Sequence, residues 1–235
     1  MGDMPVRSLV DLHVHTSASF DSLSRPENVA RAAAERGLTH LAITDHDRVD
    51  VALRVRDNPP AGLQIIVGQE VRTSAGDLIA LYIERPIPVG LAPAEAAARI
   101  REQGGVVGLA HPFDRFRQGA GRSGWEAELE AVVPLLDYVE TWNARLMLGN
   151  GNRRAAEFAQ MHQLPGVAVS DAHTILEVGV AYTILTGPIG SGEQLRAALR
   201  DAELVTAHGS RLLRLGMPVA KLVQRMRGNR RVQPA

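Results

Sequence analysis

The chain alternates between short apolar runs and longer segments in which apolar residues recur at helical spacing. Short runs rich in β-branched residues are typical of buried strands, and eight are present, at residues 9–14, 40–44, 63–67, 78–83, 106–110, 138–141, 167–170 and 181–185. Between them the pattern predicts helices over 26–37, 93–103, 152–163 and 192–202. This alternation indicates an α/β fold with mostly parallel strands, either open or closed into a barrel.

Local signals indicate where some of these elements begin and end. Ser24 is predicted to cap the first helix, because Pro26 and Glu27 follow it in the order of a helix start. Gly37 suits the residue that ends this helix. The segment 74–77, Ser-Ala-Gly-Asp, has the composition of a tight turn, so we expect the third and fourth strands to form an antiparallel hairpin.

The C-terminal segment, residues 211–235, differs from the rest of the chain in its charge. It carries seven basic residues and no acidic one, and its apolar residues predict that part of it forms a helix. We expect one large domain over residues 1–210, with this segment packed on it or trailing from it, and the last eight residues disordered. The basic charge is interpreted first as solubilising, with attraction of polyanions as the alternative.

Composition narrows the class of protein. The chain has 235 residues, of which 45% are apolar and 22% charged, as expected for a globular domain with a sizeable core. The formal net charge of zero gives no global indication of a nucleic acid or membrane partner. The lack of cysteine excludes disulfides, thiolate zinc sites and cysteine nucleophiles. Because no apolar leader or long apolar run is present, we expect a cytoplasmic protein.

Metal-binding side chains follow five of the predicted strands. His13 and His15 end the first strand, and residues two apart in a strand project from the same face. The candidates after the later strands are His46, Glu70, His111, Asp171 and His173. In α/β barrels the carboxyl ends of the strands meet at one face, so we expect these groups to converge there. Imidazoles mixed with carboxylates suit manganese, iron or zinc at a catalytic site with more than one ion.

Five short motifs occur in this order along the chain: Asp11-Leu12-His13-Val14-His15-Thr16, Ile43-Thr44-Asp45-His46, Gly68-Gln69-Glu70, Ala110-His111-Pro112 and Ser170-Asp171-Ala172-His173. In these motifs the chain resembles the PHP (polymerase and histidinol phosphatase) family, and its length and the spacing around His111 are similar to those of the family's stand-alone phosphoesterases of nucleotides or oligonucleotides. The resemblance spans roughly residues 8 to 190, and it implies a distorted (β/α)7 barrel with a trinuclear metal site at the carboxyl ends of the strands.

The resemblance also implies a ligand set for two to three divalent metal ions (Mn²⁺, Zn²⁺ or Fe²⁺). The first ion would be bound by His13, His15, Glu70 and Asp171. Glu70 would bridge to a second ion that His111 also binds. The third would be bound by Asp21, His46 and His173. The segment 19–22, Ser-Phe-Asp-Ser, places Asp21 one residue later than the family's usual pattern. The extra ligand that polymerase-type relatives use at the second ion has no clear counterpart.

The expected activity is hydrolysis of a phosphate ester by metal-activated hydroxide, since a metal lowers the pKa of bound water from about 15.7 toward about 7. Arginine forks suit phosphate oxygens, and the candidates are Arg115, Arg117 and Arg145. Asp45 is expected to orient a metal-bound imidazole from behind. Glu140, at another strand end, has a similar role or is simply a paired carboxylate.

The substrate is expected to be a small phosphorylated compound, with a nucleotide or short oligonucleotide favoured, and neither a membrane nor a protein partner is indicated. A histidinol-phosphate-type phosphomonoesterase is the first alternative. A C–N amidohydrolase is the second, although its carboxylated-lysine subclass is excluded because the only lysine, Lys221, lies in the tail. A non-catalytic metal-binding PHP scaffold is the third.

Overall fold

The structure is a computed structural model that describes residues 6–114, 125–146, 148–214 and 216–232. Its strands are β1 (Arg7–Val14), β2 (His40–Ile43), β3 (Gln64–Thr73), β4 (Gly76–Leu81), β5 (Val106–Leu109), β6 (Tyr138–Asn143), β7 (Gly166–Val169), β8 (Tyr182–Thr186) and β9 (Glu203–Val205). Its α-helices are α1 (Pro26–Glu35), α2 (Asp50–Arg56), α3 (Pro93–Glu102), α4 (Trp125–Val132), α5 (Gly151–Met161), α6 (Gly192–Ala198), α7 (Arg211–Arg214) and α8 (Met217–Met226).

The strands form one nine-stranded sheet in the order β7-β6-β5-β4-β3-β2-β1-β8-β9. The pairs β1–β2, β2–β3, β5–β6 and β6–β7 are parallel, whereas the pairs that involve β4, β8 or β9 are antiparallel. The sheet curls until the two sides meet: Val14 bridges to Ala172 after β7, and the Thr183 hydroxyl of β8 bonds Ala168 of β7. The fold is therefore the expected distorted (β/α)7 barrel.

Two apolar layers follow from the alternation of side chains along the strands. One fills the barrel and includes Leu12, Ile79 and Leu185, with Leu195 of α6 packed into it. The other lies between the sheet and the surrounding helices. Inside the barrel, Gly108 faces the Tyr138 ring so closely that a Cβ atom there would lie 2.2 Å from the ring carbon Cζ. This close approach explains why the middle of β5 carries a glycine.

The eight predicted strands are all present, and β3 is longer than predicted. The β3–β4 hairpin is confirmed, because Thr73 pairs with Gly76 across the turn. The short elements α2, α4 and β9 were not predicted. No helix in the described part of the chain is both long enough and apolar enough to cross a membrane.

Two local predictions were wrong. Arg25, not Ser24, is the cap residue of α1, and no side-chain bond caps this helix, because the Ser24 hydroxyl donates to the backbone oxygen of His173 instead. The C-terminal residues as far as 232 are also docked rather than disordered. There the Asn229 side-chain amide donates to the backbone oxygen of Ala18 at 2.9 Å. Residues 233–235 lie outside the described part of the chain.

Candidate metal centre

The strand ends bring eight buried His, Asp and Glu side chains to one end of the barrel. His13 and His15 come from the end of β1, and Glu70 comes from the middle of the long strand β3. The others follow strands or lie in the loop after β1: Asp21, His46, His111, Asp171 and His173. Three overlapping groups have ligand atoms close enough to share an ion: His13/His15/Asp171, His13/Glu70/His111 and His15/His46/His173.

The first group lies at the centre of the cluster. The Nε2 atoms of His13 and His15 are 3.0 Å apart, and they lie 3.3 and 3.1 Å from Glu70 Oε2. Asp171 Oδ1 lies 3.5 Å from His15 Nε2. Ligand atoms on one ion with bonds of about 2.0–2.1 Å are separated by roughly 3.0–3.4 Å. The spacing therefore fits four atoms that face a common divalent ion.

Glu70 connects the first group to the second. Its Oε1 lies 3.0 Å from His111 Nε2, whereas its Oε2 faces the imidazoles of His13 and His15. A carboxylate whose two oxygens face different ligand groups has the geometry of a bridge between two ions.

Asp21 completes the third group despite its later position in the sequence. Its Oδ2 lies 3.5 Å from His46 Nε2 and 3.3 Å from His173 Nε2. Its Oδ1 is buried and has no hydrogen-bond partner among the described residues. A buried carboxylate oxygen without a donor is costly, and a bound cation would satisfy it. This observation indicates that the residues present fit the metal ion that the donor set implies.

The carboxylates of the cluster create an electrostatic potential that favours positive charge. Burial opposes positive charge on His13, yet Glu140, Asp171 and Glu70 raise the pKa of its imidazole well above the usual range. Burial likewise opposes charge on His15, but hydrogen bonds to Asp171 and Glu70 raise its pKa to about 9. A divalent ion would supply the positive charge that otherwise comes from protons on these rings.

Arg145 has the opposite electrostatic effect beside His173, where its positive charge disfavours protonation of the ring. Burial, together with the nearby Arg145 guanidinium, lowers the pKa of His173 to about 3, so that this ring is neutral and its lone pair is free to bind a metal. Arg145 is itself only 3% exposed, and its Nη1 lies 3.7 Å from Glu177 Oε2. Its Nε has no partner among the described residues.

A second layer of side chains holds the imidazoles in place. Glu140 Oε1 lies 2.6 Å from His13 Nδ1, and its Oε2 accepts hydrogen bonds at 3.0 Å from both the His111 backbone N–H and the Asn143 amide. The Ser19 hydroxyl lies 3.0 Å from His15 Nδ1. Such partners fix which ring nitrogen faces the metal.

Asp45 was expected to contact a metal-binding imidazole directly, but Ser19 lies between it and His15. Its carboxylate accepts bonds from the Ser19 and Thr16 hydroxyls, each at 2.6 Å, and it orients His15 through Ser19 rather than directly. Sequence reasoning missed Ser19 and Asn143, because a serine in a loop and an asparagine at a strand end carry no distinctive signal. Arg115 and Arg117 lie outside the described residues.

Backbone strain marks two of the candidate ligands. His111 and Asp171 have φ angles of 26° and 50°, in the left-handed region that non-glycine residues rarely adopt. Such conformations cost of the order of 1–3 kcal/mol each and persist where the surrounding structure enforces them, often at functional sites. At His111 the enforcing contact is the bond from its backbone N–H to Glu140.

Comparison with known proteins identifies the family. The PHP domain family matches residues 11–122, and the PHP-associated family matches residues 149–204. The chain is 32% identical over 173 residues to the uncharacterized protein MJ0417 of Methanocaldococcus jannaschii, covering 74% of this chain and 68% of that protein. The chain belongs to the PHP family. Members of this family are metal-dependent phosphoesterases, and the His/Asp/Glu clusters described above fit a metal site.

Two solved structures share the fold. A two-domain protein of Bacteroides vulgatus, described as containing a predicted PHP-like metal-dependent phosphoesterase, has a TM-score of 0.68 at 19% identity, covering 86% of this chain and 66% of that one. The lesion-specific endonuclease PfuEndoQ of Pyrococcus furiosus has a TM-score of 0.63 at 17% identity, covering 85% of this chain and 58% of that one. This PHP protein therefore spans only part of both.

Proposed function

We propose that this PHP-family protein hydrolyses phosphate esters of nucleotides or short oligonucleotides at a centre of two to three divalent metal ions. The observation that carries the proposal is the convergence of eight His, Asp and Glu side chains into three overlapping ligand groups. Ions in such a centre supply Lewis acidity that activates water and stabilises the charge on the phosphoryl group.

The chain's own residues have distinct roles in this proposal. His13, His15, Glu70 and Asp171 would hold the first ion, and Glu70 with His111 would hold the second. Asp21, His46 and His173 would hold the third. Glu140 and Ser19 orient the imidazoles through the bonds described above.

Arg145 is the arginine best placed to bind a phosphate oxygen. It lines a cavity of about 420 Å³ together with the candidate ligands Asp21 and His173. Glu177 holds one side of the guanidinium, and the Nε–H has no acceptor among the described residues. A planar guanidinium with an unused donor suits a phosphate oxygen. The rest of the cavity is mostly apolar, with Leu213 and Met217 among its lining residues, and suits the organic part of an ester.

The test measures the release of products by the purified protein, loaded with manganese and then stripped with a chelator: inorganic phosphate from a monoester, nucleotides from an oligonucleotide and the free amine from an amide. The panel contains 3′,5′-bisphosphonucleotides, short oligoribonucleotides, histidinol phosphate, an aryl phosphate and an N-acyl amide. Release should require metal, and it should fall by at least about a hundredfold in His13→Ala. His208→Ala is the matched control, because His208 is exposed and belongs to none of the ligand groups.

Elemental analysis of the same samples separates the outcomes. Bound metal with no hydrolysis of any ester would overturn the proposed activity in favour of a metal-binding scaffold, and hydrolysis of the amide alone would indicate a C–N amidohydrolase. Histidinol phosphate as the best substrate would replace nucleotides with a small phosphomonoester.

A further inference from the structure

The C-terminal segment returns to the metal centre and is bound to the loop that carries Asp21. Gln224 of α8 is buried, and its amide donates to the backbone oxygens of Ser17 and Ser19 at 2.8 and 3.0 Å. The Asn229 amide donates to Ala18 in the same loop. These bonds hold the basic residues after α8 in a fixed position beside the candidate ligands.

Phe20, in that loop, contacts both the C-terminal segment and the candidate metal centre. Its ring centroid lies 4.8 Å from that of His46. The Lys221 ammonium and the Arg231 guanidinium lie 5.6 and 5.4 Å from the centroid of the Phe20 ring. Cation–π contacts of this kind contribute about 0.5–1 kcal/mol at exposed sites. They place two positive charges on the Phe20 ring, which in turn contacts the candidate ligand His46.

Two adjoining cavities run along this surface. A cavity of about 340 Å³ lies beside His46 and is lined by Phe20, Asp47, Arg230 and Arg231. A second, of about 670 Å³, shares Phe20, Arg230 and Arg231 with the first and continues along α8. Both volumes are within the range of about 300–1,000 Å³ that is usual for ligand sites. Together they form a continuous path from the metal centre outwards.

The charges along this path are mostly positive. We call its outer part the basic groove and define it by Lys221, Arg225, Arg230 and Arg231. Lys221, Arg225 and Arg230 have no carboxylate partner among the described residues, while Arg231 lies 3.9 Å from Asp77 Oδ1. These cations are therefore available to an external anion.

The inner end of the path is less positive than the groove. Arg48 is neutralised there by two bonds to Asp50, at 2.6 and 2.7 Å. The acidic residue Asp47 also lines this end of the path. The attraction for an anion is thus stronger in the basic groove than at the inner end of the path. At the inner end, bound metal ions would supply the positive charge instead.

We infer that the basic groove binds the phosphate chain of a single-stranded oligonucleotide whose scissile ester lies at the metal centre. The inference rests on the proposed function and narrows its substrate class, since a mononucleotide with one phosphate would leave the groove empty. Lys221, Arg225 and Arg230 contact backbone phosphates. The groove offers charge rather than base-specific donors, so the recognition is independent of base sequence.

The test measures binding without turnover. The full chain, in buffer with chelator, is titrated into a 5′-fluorescein-labelled hexathymidylate, and fluorescence anisotropy is recorded from 50 to 300 mM salt. The double variant Lys221→Gln/Arg230→Gln should bind more weakly by roughly tenfold for each substituted cation at the lowest salt. The slope of log K against log salt should become shallower by about 1.4, because each cation that neutralises a phosphate of a single strand contributes about 0.7 to this slope.

Arg200→Gln is the matched control. Arg200 is exposed, lies in the short 3₁₀ segment just before β9 and has no carboxylate partner among the described residues. Because β8 runs antiparallel to both β1 and β9, this residue lies at the end of the barrel opposite the metal centre. The same loss of charge there should leave the slope unchanged.

Three results would overturn the inference: equal slopes for the wild type and the double variant, an equal loss in Arg200→Gln, or displacement of the hexamer by inorganic phosphate at the concentration of the hexamer itself. Failure of the proposed function is distinguishable from these, because it appears as metal-bound protein that hydrolyses none of the esters, whether or not the hexamer binds the groove.

Discussion

Glu140 offers the sharpest test of how the candidate metal centre is held together. Glu140 Oε1 lies 2.6 Å from His13 Nδ1, so the ring presents Nε2 to Glu70 and His15. Its Oε2 accepts the His111 backbone N–H at 3.0 Å. One carboxylate thus orients one candidate ligand and fixes the backbone of another. Glu140→Gln keeps the size and shape of the side chain but removes its charge and one of its two acceptors.

The expected loss follows from this geometry. Gln has one acceptor oxygen, which cannot serve both His13 Nδ1 and the His111 N–H, so one of the two bonds is lost. Removal of such a partner behind a metal ligand typically lowers metal affinity by about 10–100-fold, which corresponds to about 1.4–2.7 kcal/mol. We therefore expect Glu140→Gln to bind manganese or zinc 10–100-fold more weakly in calorimetric titration of the chelator-treated protein.

The control for this experiment is Glu157→Gln. Glu157 is an exposed residue of α5 that pairs with Arg153 at 3.1 Å, and its loss should leave metal affinity unchanged. Urea unfolding of both metal-free variants shows whether the fold is intact. Glu140→Gln affinity within twofold of the wild type, in a folded protein, would refute the reasoning that Glu140 positions His13.

Three further predictions concern the fold itself. Gly108→Ala should lower the free energy of unfolding by at least about 1–3 kcal/mol in urea titrations, because the new Cβ would lie 2.2 Å from the Tyr138 ring; an unchanged midpoint would contradict the packing. Tyr138→Phe should stabilise the protein by about 1 kcal/mol in the same assay, since the Tyr138 hydroxyl is buried without a partner among the described residues, and a clear loss would mean that the hydroxyl has one. Burial lowers the pKa of His40, so below pH 6.5 the folded state binds fewer protons than the unfolded state, and stability falls as the pH drops. His40→Gln should lose less stability than the wild type between pH 7 and pH 5, and parallel curves would show that His40 does not cause the dependence.

Elements whose signals are local could be predicted from the sequence. The hairpin turn at 74–77 needs only its own residues, and β3 and β4 pair there as expected. His13 and His15 share a strand, so the closeness of their rings follows from strand geometry even though the pairing of β1 with β2 shifts register between Asp11 and Val14. The convergence of the other candidate ligands followed from their place at strand ends.

Features that depend on distant partners were beyond sequence reasoning. Ser24 has the signature of a helix cap, but the oxygen of His173 competes successfully for its hydroxyl. The last eight residues were expected to be disordered, and the sequence does not show that Asn229 would meet the backbone oxygens of the loop after β1. The burial of Arg145 beside Glu177 likewise depends on the folded arrangement of two separate loops.

The bridge between Val14 and Ala172, which closes the barrel, also joins candidate ligands that are synthesised far apart in time. During synthesis, His13, His15, His46, Glu70 and His111 emerge long before Asp171 and His173. An incomplete chain therefore carries many imidazoles but lacks the residues that complete two of the three ligand groups. Ions that bind across this junction link segments about 160 residues apart in the sequence, and a cross-link of that span restricts the unfolded chain by about 5 kcal/mol on chain-entropy grounds. Only a chain that extends past His173 therefore carries all three ligand groups.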